Sequence, residues 1–128
     1  NLDIMEKPEF RELNFGNFEG MNHEELLRRY PDEAGIFFEN WQNCRIPGGE
    51  SIYDLMTRAV NEIENIKKSH KGKRIIIVTH SGVIQAVLSF YFTGNLDSYW
   101  KFRLNHGSIT KLCFDKSDFA FLEYVNRV

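Results

Sequence analysis

The chain has 128 residues, 42% of them hydrophobic and 14% aromatic, enough apolar material for one domain with a core and too much for a disordered segment. Sixteen basic and eighteen acidic residues leave a formal charge of −2, which argues against a general nucleic-acid binder with its basic stripe. No apolar run approaches the roughly 18–20 residues of a membrane span, and the opening residues show no basic-then-apolar signal pattern.

Residues 1–11 read as irregular, punctuated by Pro8. Asn1 is not an initiator methionine and "NLDIMEKPEF" looks like a linker from an earlier element, so the chain is expected to be a fragment. "ELNFGNFEG" (residues 12–20), with two glycines, two asparagines and two aromatics, suits a shaped loop. "NHEELLRRY" follows as a short helix, with Asn22 as N-cap, Glu25 three residues on and Pro31 as terminator. A second helix is expected over Asp32–Asn43. "RIPGGES" (45–51) is a turn. Ser51 then caps a long helix with Asp54 at its third position. Ile52, Leu55, Met56, Ala59, Val60, Ile63 and Ile66 recur at spacings of three and four, one face of a helix. "HKGKR" closes it, with Gly72 as C-cap. Residues 74–79 are apolar without alternation and read as a strand buried on both faces. Residues 82–93 read as a buried helix and "NLDSYWKF" as a short helix or turn. "SITKLCF" and "FAFLEYV" flank "DKSD" as a β-hairpin at a sheet edge. The layout is α/β. The strand at 74–79 lacks a parallel partner before it, so a strand upstream of Asn1 is expected.

In open α/β sheets ligands sit beyond the carboxyl ends of strands. "RIIIVTHSGV" (74–83) puts His80 at such an end, with Ser81 and Gly82 opening the next helix. The first N–H groups of that helix have no internal partners and form an anion site. Two readings stay open for His80, phosphate binding and a local helix cap. Glu12, flanked by Phe10, Leu13, Phe15 and Phe18, is either a partly desolvated general acid or a solvated loop carboxylate. Phe37, Phe38 and Trp41 are core or ligand cage. Arg45 is exposed enough to face an anionic substrate, while Glu50 belongs to a turn. A nucleophile elbow fails because Thr79 and Val83 stand where glycines are needed. A P-loop fails because Gly72-Lys73 is followed by Arg74 and precedes a strand. The four histidines and two cysteines show no metal-ligand spacing. Cys44 and Cys113, far apart, read as reduced thiols of a cytoplasmic protein.

"ELNFGNFEG", "PGGES" opening a helix, and "VTHSGV", in this order, resemble the histidine phosphatase superfamily, the phosphoglycerate mutase-like group. Residues 37–58, "FFENWQNCRIPGGESIYDLMTR", look most like its alpha-ribazole phosphatase branch, which belongs to cobalamin biosynthesis. The resemblance spans about residues 9 to 125. It implies a three-layer α/β/α fold, here without its N-terminal strand and helix, so that residues 1–128 form the C-terminal portion of one domain. It implies a phosphomonoesterase working through a phosphohistidine on a small phosphorylated metabolite, with no cofactor or metal and no nucleic-acid or membrane partner. Under it Glu12 becomes the proton donor, His80 the second phosphate-holding histidine, and Ser81 and Gly82 the turn whose backbone meets the phosphate. The family's nucleophile lies in an Arg-His-Gly motif and a second arginine in Ser-x-x-Arg-Ala. Neither occurs in this sequence, so the fragment alone is expected to be inactive. A mutase activity and a non-catalytic phosphate-binding module are the alternatives. A homodimer through the edge hairpin is an open arrangement.

Overall fold

Short-range chemistry sets the helix starts. In the computed structural model, which describes residues 3–128, helix α1 covers His23–Arg29 and helix α3 covers Ile52–Ser69. Each begins with a reciprocal capping box. Asn22 Oδ1 accepts from the Glu25 N–H at 2.9 Å, and the Glu25 carboxylate accepts from the Asn22 N–H at 3.3 Å. Ser51 and Asp54 repeat the arrangement at 2.9 and 3.0 Å. Two orphan donors are satisfied at each start. The reading of Asn1 and Leu2 lies outside the described residues.

Helix α2 runs Pro31–Glu39, with Pro31 as its first residue. Proline has no N–H to lose there and its fixed φ suits the helix. The same residue therefore ends α1 and begins α2. The expected extension to Asn43 does not form. Asn40 leaves helical geometry at φ −130°, and the Asn43 and Cys44 N–H groups turn back onto the Asn40 carbonyl. Helix α4, Ser81–Thr93, is closed by Gly94 at φ 73°.

Helices α3 and α4 pack together, and their Leu55, Ala59, Val83 and Ala86 are sealed from solvent in one apolar cluster with Phe10, Leu13, Ile46 and Leu96. Leu55→Ala would typically cost about 2–5 kcal/mol. Strands β1 (Ile109–Phe114) and β2 (Ala120–Arg127) form the expected antiparallel hairpin, with Leu112 opposite Leu122 and Phe114 opposite Ala120. Lys67 fastens it to α3 and α4: its ammonium lies 4.1 Å from the Phe114 ring centre and 2.8 Å from Asp118. The Tyr91 ring packs on Phe114 at 5.0 Å.

One expectation is corrected. Residues 74–79 do not form a strand buried on both faces: they carry no ladder among the described residues, and Ile76 and Val78 are 78% and 93% exposed. A strand exists only through bonds to a neighbour, and among the described residues the hydrogen-bonded sheet is the two-stranded hairpin. No helix among the described residues is long and apolar enough to cross a membrane.

Candidate active site

Two of the singled-out motifs pack backbone to backbone. The Asn17 N–H donates to the Pro47 carbonyl at 2.8 Å, and the Glu50 N–H donates to the Asn14 carbonyl at 3.0 Å. A Cβ at Gly16 or Gly49 would collide with the opposing chain. Only glycine permits this approach, which is why "NFG" and "PGG" occur together. Side chains reinforce the seam. Arg58 on α3 forms a two-pronged pair with Glu50, Nε to Oε2 at 3.0 Å and Nη2 to Oε1 at 2.6 Å. The same guanidinium donates to the carbonyls of Glu9 at 2.6 Å and Glu12 at 3.1 Å, while Glu50 Oε1 also accepts from the Asn14 N–H. The backbone on both sides of Glu12 is thus pinned to α3.

The Glu12 carboxylate, half-buried, reaches the start of α4. Its Oε1 accepts from the Leu13 N–H at 2.9 Å and its Oε2 from the Gly82 N–H at 3.3 Å. A carboxylate is favoured there because the N–H groups of a helix N-terminus are unpaired and carry partial positive charge. Gly82 is buried, and a Cβ on it would strike Glu12 Oε1. Thr79 ties the preceding segment to the loop by donating to the Phe10 carbonyl at 2.6 Å. His80 occupies the N-cap position of α4 in extended geometry, φ −103° and ψ 161°, and makes no side-chain capping bond. Its ring and Ser81 are exposed. The chain thus brings Glu12 and Gly82 into contact and sets His80 and Ser81 immediately before them in sequence.

Arg45, open to the reading of an anion contact, is instead 2.9 Å from Asp54. The Asp54 carboxyl is held below the usual carboxylate range, first by the Ser51 N–H and then by the Ser51 hydroxyl and Arg45. Two contributors escaped the sequence reading. Arg58 acts across 46 residues on the Glu12 carbonyl, and no local pattern marks such a reach. Tyr99 stands beside Gly82, and burial together with the Glu12 charge pushes its phenol well above the ordinary tyrosine value. Phe37, Phe38 and Trp41, left open between core and cage, wall a cleft that also takes in Leu13 and Tyr99.

Helices packed behind a histidine-led helix start, with a carboxylate seated on that start, together with the hairpin make a mixed α/β architecture. The histidine phosphatase superfamily (branch 1) profile matches residues 1–127, and the chain belongs to that superfamily. It is 36% identical over 86 residues to a metal-independent phosphoserine phosphatase of Arabidopsis thaliana, covering 66% of this chain and 36% of that protein. It is 26% identical over 121 residues to the adenosylcobalamin/alpha-ribazole phosphatase of Salmonella typhimurium, 93% of this chain and 58% of the relative. The crystal structure of the alpha-ribazole phosphatase from Shigella flexneri superposes with a TM-score of 0.83 at 26% identity, over 94% of this chain and 59% of that one. The fold is therefore phosphoglycerate mutase-like, and the chain spans between about a third and three fifths of these proteins.

Proposed function

We propose that residues 1–128 are the C-terminal portion of a phosphomonoesterase domain that hydrolyses a small phosphate ester through a phosphohistidine. Alpha-ribazole 5′-phosphate is the first substrate to try. The observation that carries this reading is the Glu12 carboxylate bound to the Gly82 N–H at 3.3 Å, with His80 leading the same helix. An arriving phosphoryl group would meet the His80 ring and the Ser81 N–H and would take the Gly82 N–H over from the Glu12 carboxylate, which, once protonated, is free to turn to the leaving oxygen. Glu12 would give its proton to the leaving alcohol oxygen as the phosphorus–oxygen bond breaks and phosphorus bonds to a nucleophilic histidine nitrogen. Water then attacks the phosphohistidine, the nitrogen–phosphorus bond breaks, and Glu12 takes a proton from the water. Splitting one displacement into two needs that nucleophile. The sequence holds no Arg-His-Gly, so the isolated fragment is expected to be inactive. The free thiols of Cys44 and Cys113 suit a cytoplasmic protein. The exposed outer face of the hairpin offers a homodimer contact.

The test is phosphate release by the complete protein that carries this chain. Glu12→Ala and His80→Ala should each lower kcat/KM by ~10²–10⁴-fold, the usual worth of a proton donor. Activity unchanged by both substitutions would refute the assignment. A phosphate moved within the substrate, with none released, would favour a mutase. No turnover of any ester would favour a binding module.

A further inference from the structure

The peptide unit joining Glu12 to Leu13 is held from both sides. Its carbonyl accepts from Arg58 Nη2 at 3.1 Å, and its N–H donates to the Glu12 side-chain Oε1 at 2.9 Å. A trans peptide is planar, with C=O and N–H pointing opposite ways. A group that fixes the carbonyl therefore fixes the line of the N–H, and with it the seat of the carboxylate. The guanidinium also polarises the amide, and hydrogen bonds linked through one group strengthen each other.

This hold counts most during the reaction. The carboxylate rests on two N–H groups, Leu13 through Oε1 and Gly82 through Oε2. The Gly82 N–H is the one an arriving phosphoryl group takes over. The Leu13 N–H remains, keeping the carboxyl aimed while Oε2 delivers its proton to the leaving oxygen. A proton donor must stay within hydrogen-bond reach of the oxygen it serves.

Arg58 is itself kept from turning. Its Nε and Nη2 lie 3.0 and 2.6 Å from the two oxygens of Glu50, and its Nη1 reaches the Glu9 carbonyl at 2.6 Å. Glu50 Oε1 also accepts from the Asn14 N–H at 3.0 Å, so the loop is gripped before and after Glu12. Bonds of this charged, two-pronged kind are strong and strict in direction. A lysine ammonium has no planar fork and cannot hold Glu50 and two carbonyls in fixed directions at once.

We propose that Arg58, locked by Glu50, is a positioning residue for the Glu12 proton donor and acts through the Glu12–Leu13 peptide. The inference rests on the phosphomonoesterase reading above and identifies what aims its acid.

The experiment compares 4-nitrophenyl phosphate with 4-nitrobenzyl phosphate on the complete protein. The quantity read is the ratio of their kcat/KM values, which includes the step that breaks the phosphorus–oxygen bond. Nitrophenolate leaves unaided, whereas a benzyl alkoxide needs the proton, so loss of the acid raises the ratio. Loss of folded enzyme lowers both values together and leaves the ratio where it was. Glu12→Gln should raise it by ~100-fold or more, the usual worth of a proton donor. Arg58→Lys should raise it by ~10-fold or more, since small misplacements of a reacting group are costly. Glu50→Gln, which opens the lock and leaves Arg58 in place, should raise it in the same direction. Combining Glu12→Gln with Arg58→Lys should raise it no further than Glu12→Gln alone, because one residue acts through the other. If Glu12→Gln raises the ratio and neither Arg58→Lys nor Glu50→Gln does, or if the double variant shows both effects multiplied, the inference is overturned and the phosphomonoesterase reading stands. A ratio unmoved by Glu12→Gln, or no hydrolysis of either ester by the wild type, counts against that reading and takes the inference with it.

Discussion

A Cβ placed on Gly82 meets the Glu12 carboxylate on one side and the Tyr99 hydroxyl, 3.1 Å away, on the other. Alanine there forces the carboxylate off the helix start, because neither helix backbone nor a buried tyrosine yields easily. Displacement by about 1 Å of a group that must face the reacting atoms can cost about 100-fold in rate. Gly82→Ala is therefore expected to lower kcat/KM of the complete protein by ~100-fold. Gly35 in α2 is the contrast: nothing lies within 4 Å of a Cβ built on it. Gly35→Ala should leave activity unchanged and stabilise by up to ~1 kcal/mol through helix propensity. Steady-state kinetics beside thermal unfolding separates the two variants. Equal activity in both would show that the Glu12–Gly82 contact is not what positions the carboxylate.

Helix α3 is where local and distant forces divide. Its start depends on Ser51 and Asp54, three residues apart, and Ser51→Ala should cost about 1 kcal/mol in chemical denaturation. Because folding depresses the Asp54 carboxyl, its contribution is fully present above the unfolded value of about 3.9 and is lost as pH falls through the lower folded value. The stability difference between wild type and Asp54→Asn should therefore shrink below about pH 4. Arg58 works at longer range. Its guanidinium pairs with Glu50 and holds two loop carbonyls, with side chains only 23% and 15% exposed. Arg58→Ala leaves Glu50 without its cation and should cost about 3 kcal/mol. Arg58→Lys should recover little, since an ammonium cannot reproduce the fork. The same division explains what could be read from the residues alone. Both capping boxes, the α3 face and the hairpin turn were legible because each is written within a few adjacent positions. The end of α2 falls short of Asn43 because the Asn43 and Cys44 N–H groups turn back onto the Asn40 carbonyl, a turn that the residue types alone do not mark. The Arg58 clamp joins residues 46 and 49 apart, and nothing in a linear pattern marks it. Residues 74–79 were read as a strand buried on both faces and do not form one: a strand is a property of two segments, and one segment cannot reveal whether its neighbour is there.

That run governs the behaviour of the molecule as a whole. Ile75, Ile76, Ile77 and Val78 are all exposed, and no ladder covers either edge among the described residues. Unpaired backbone groups next to contiguous β-branched side chains form a template for another chain. The hairpin is less hazardous: β1 and β2 already satisfy each other, and its exposed Phe119 and Phe121 alternate with better-covered positions. The 128-residue chain produced alone should therefore associate with increasing concentration, seen as a rising weight-average mass in sedimentation equilibrium. Charges on the bare run should suppress this, because a lysine on an unpaired edge opposes strand addition. Ile76→Lys or Val78→Lys should return the mass toward that of one chain, while Phe121→Lys on the hairpin should change it little. Suppression by Phe121→Lys and not by the other two would move the sticky surface to the hairpin and favour the homodimer arrangement there. A single-chain mass at every concentration would mean that the exposed run is tolerated as it stands, and the case for a covering strand from elsewhere in the protein would lose its physical ground.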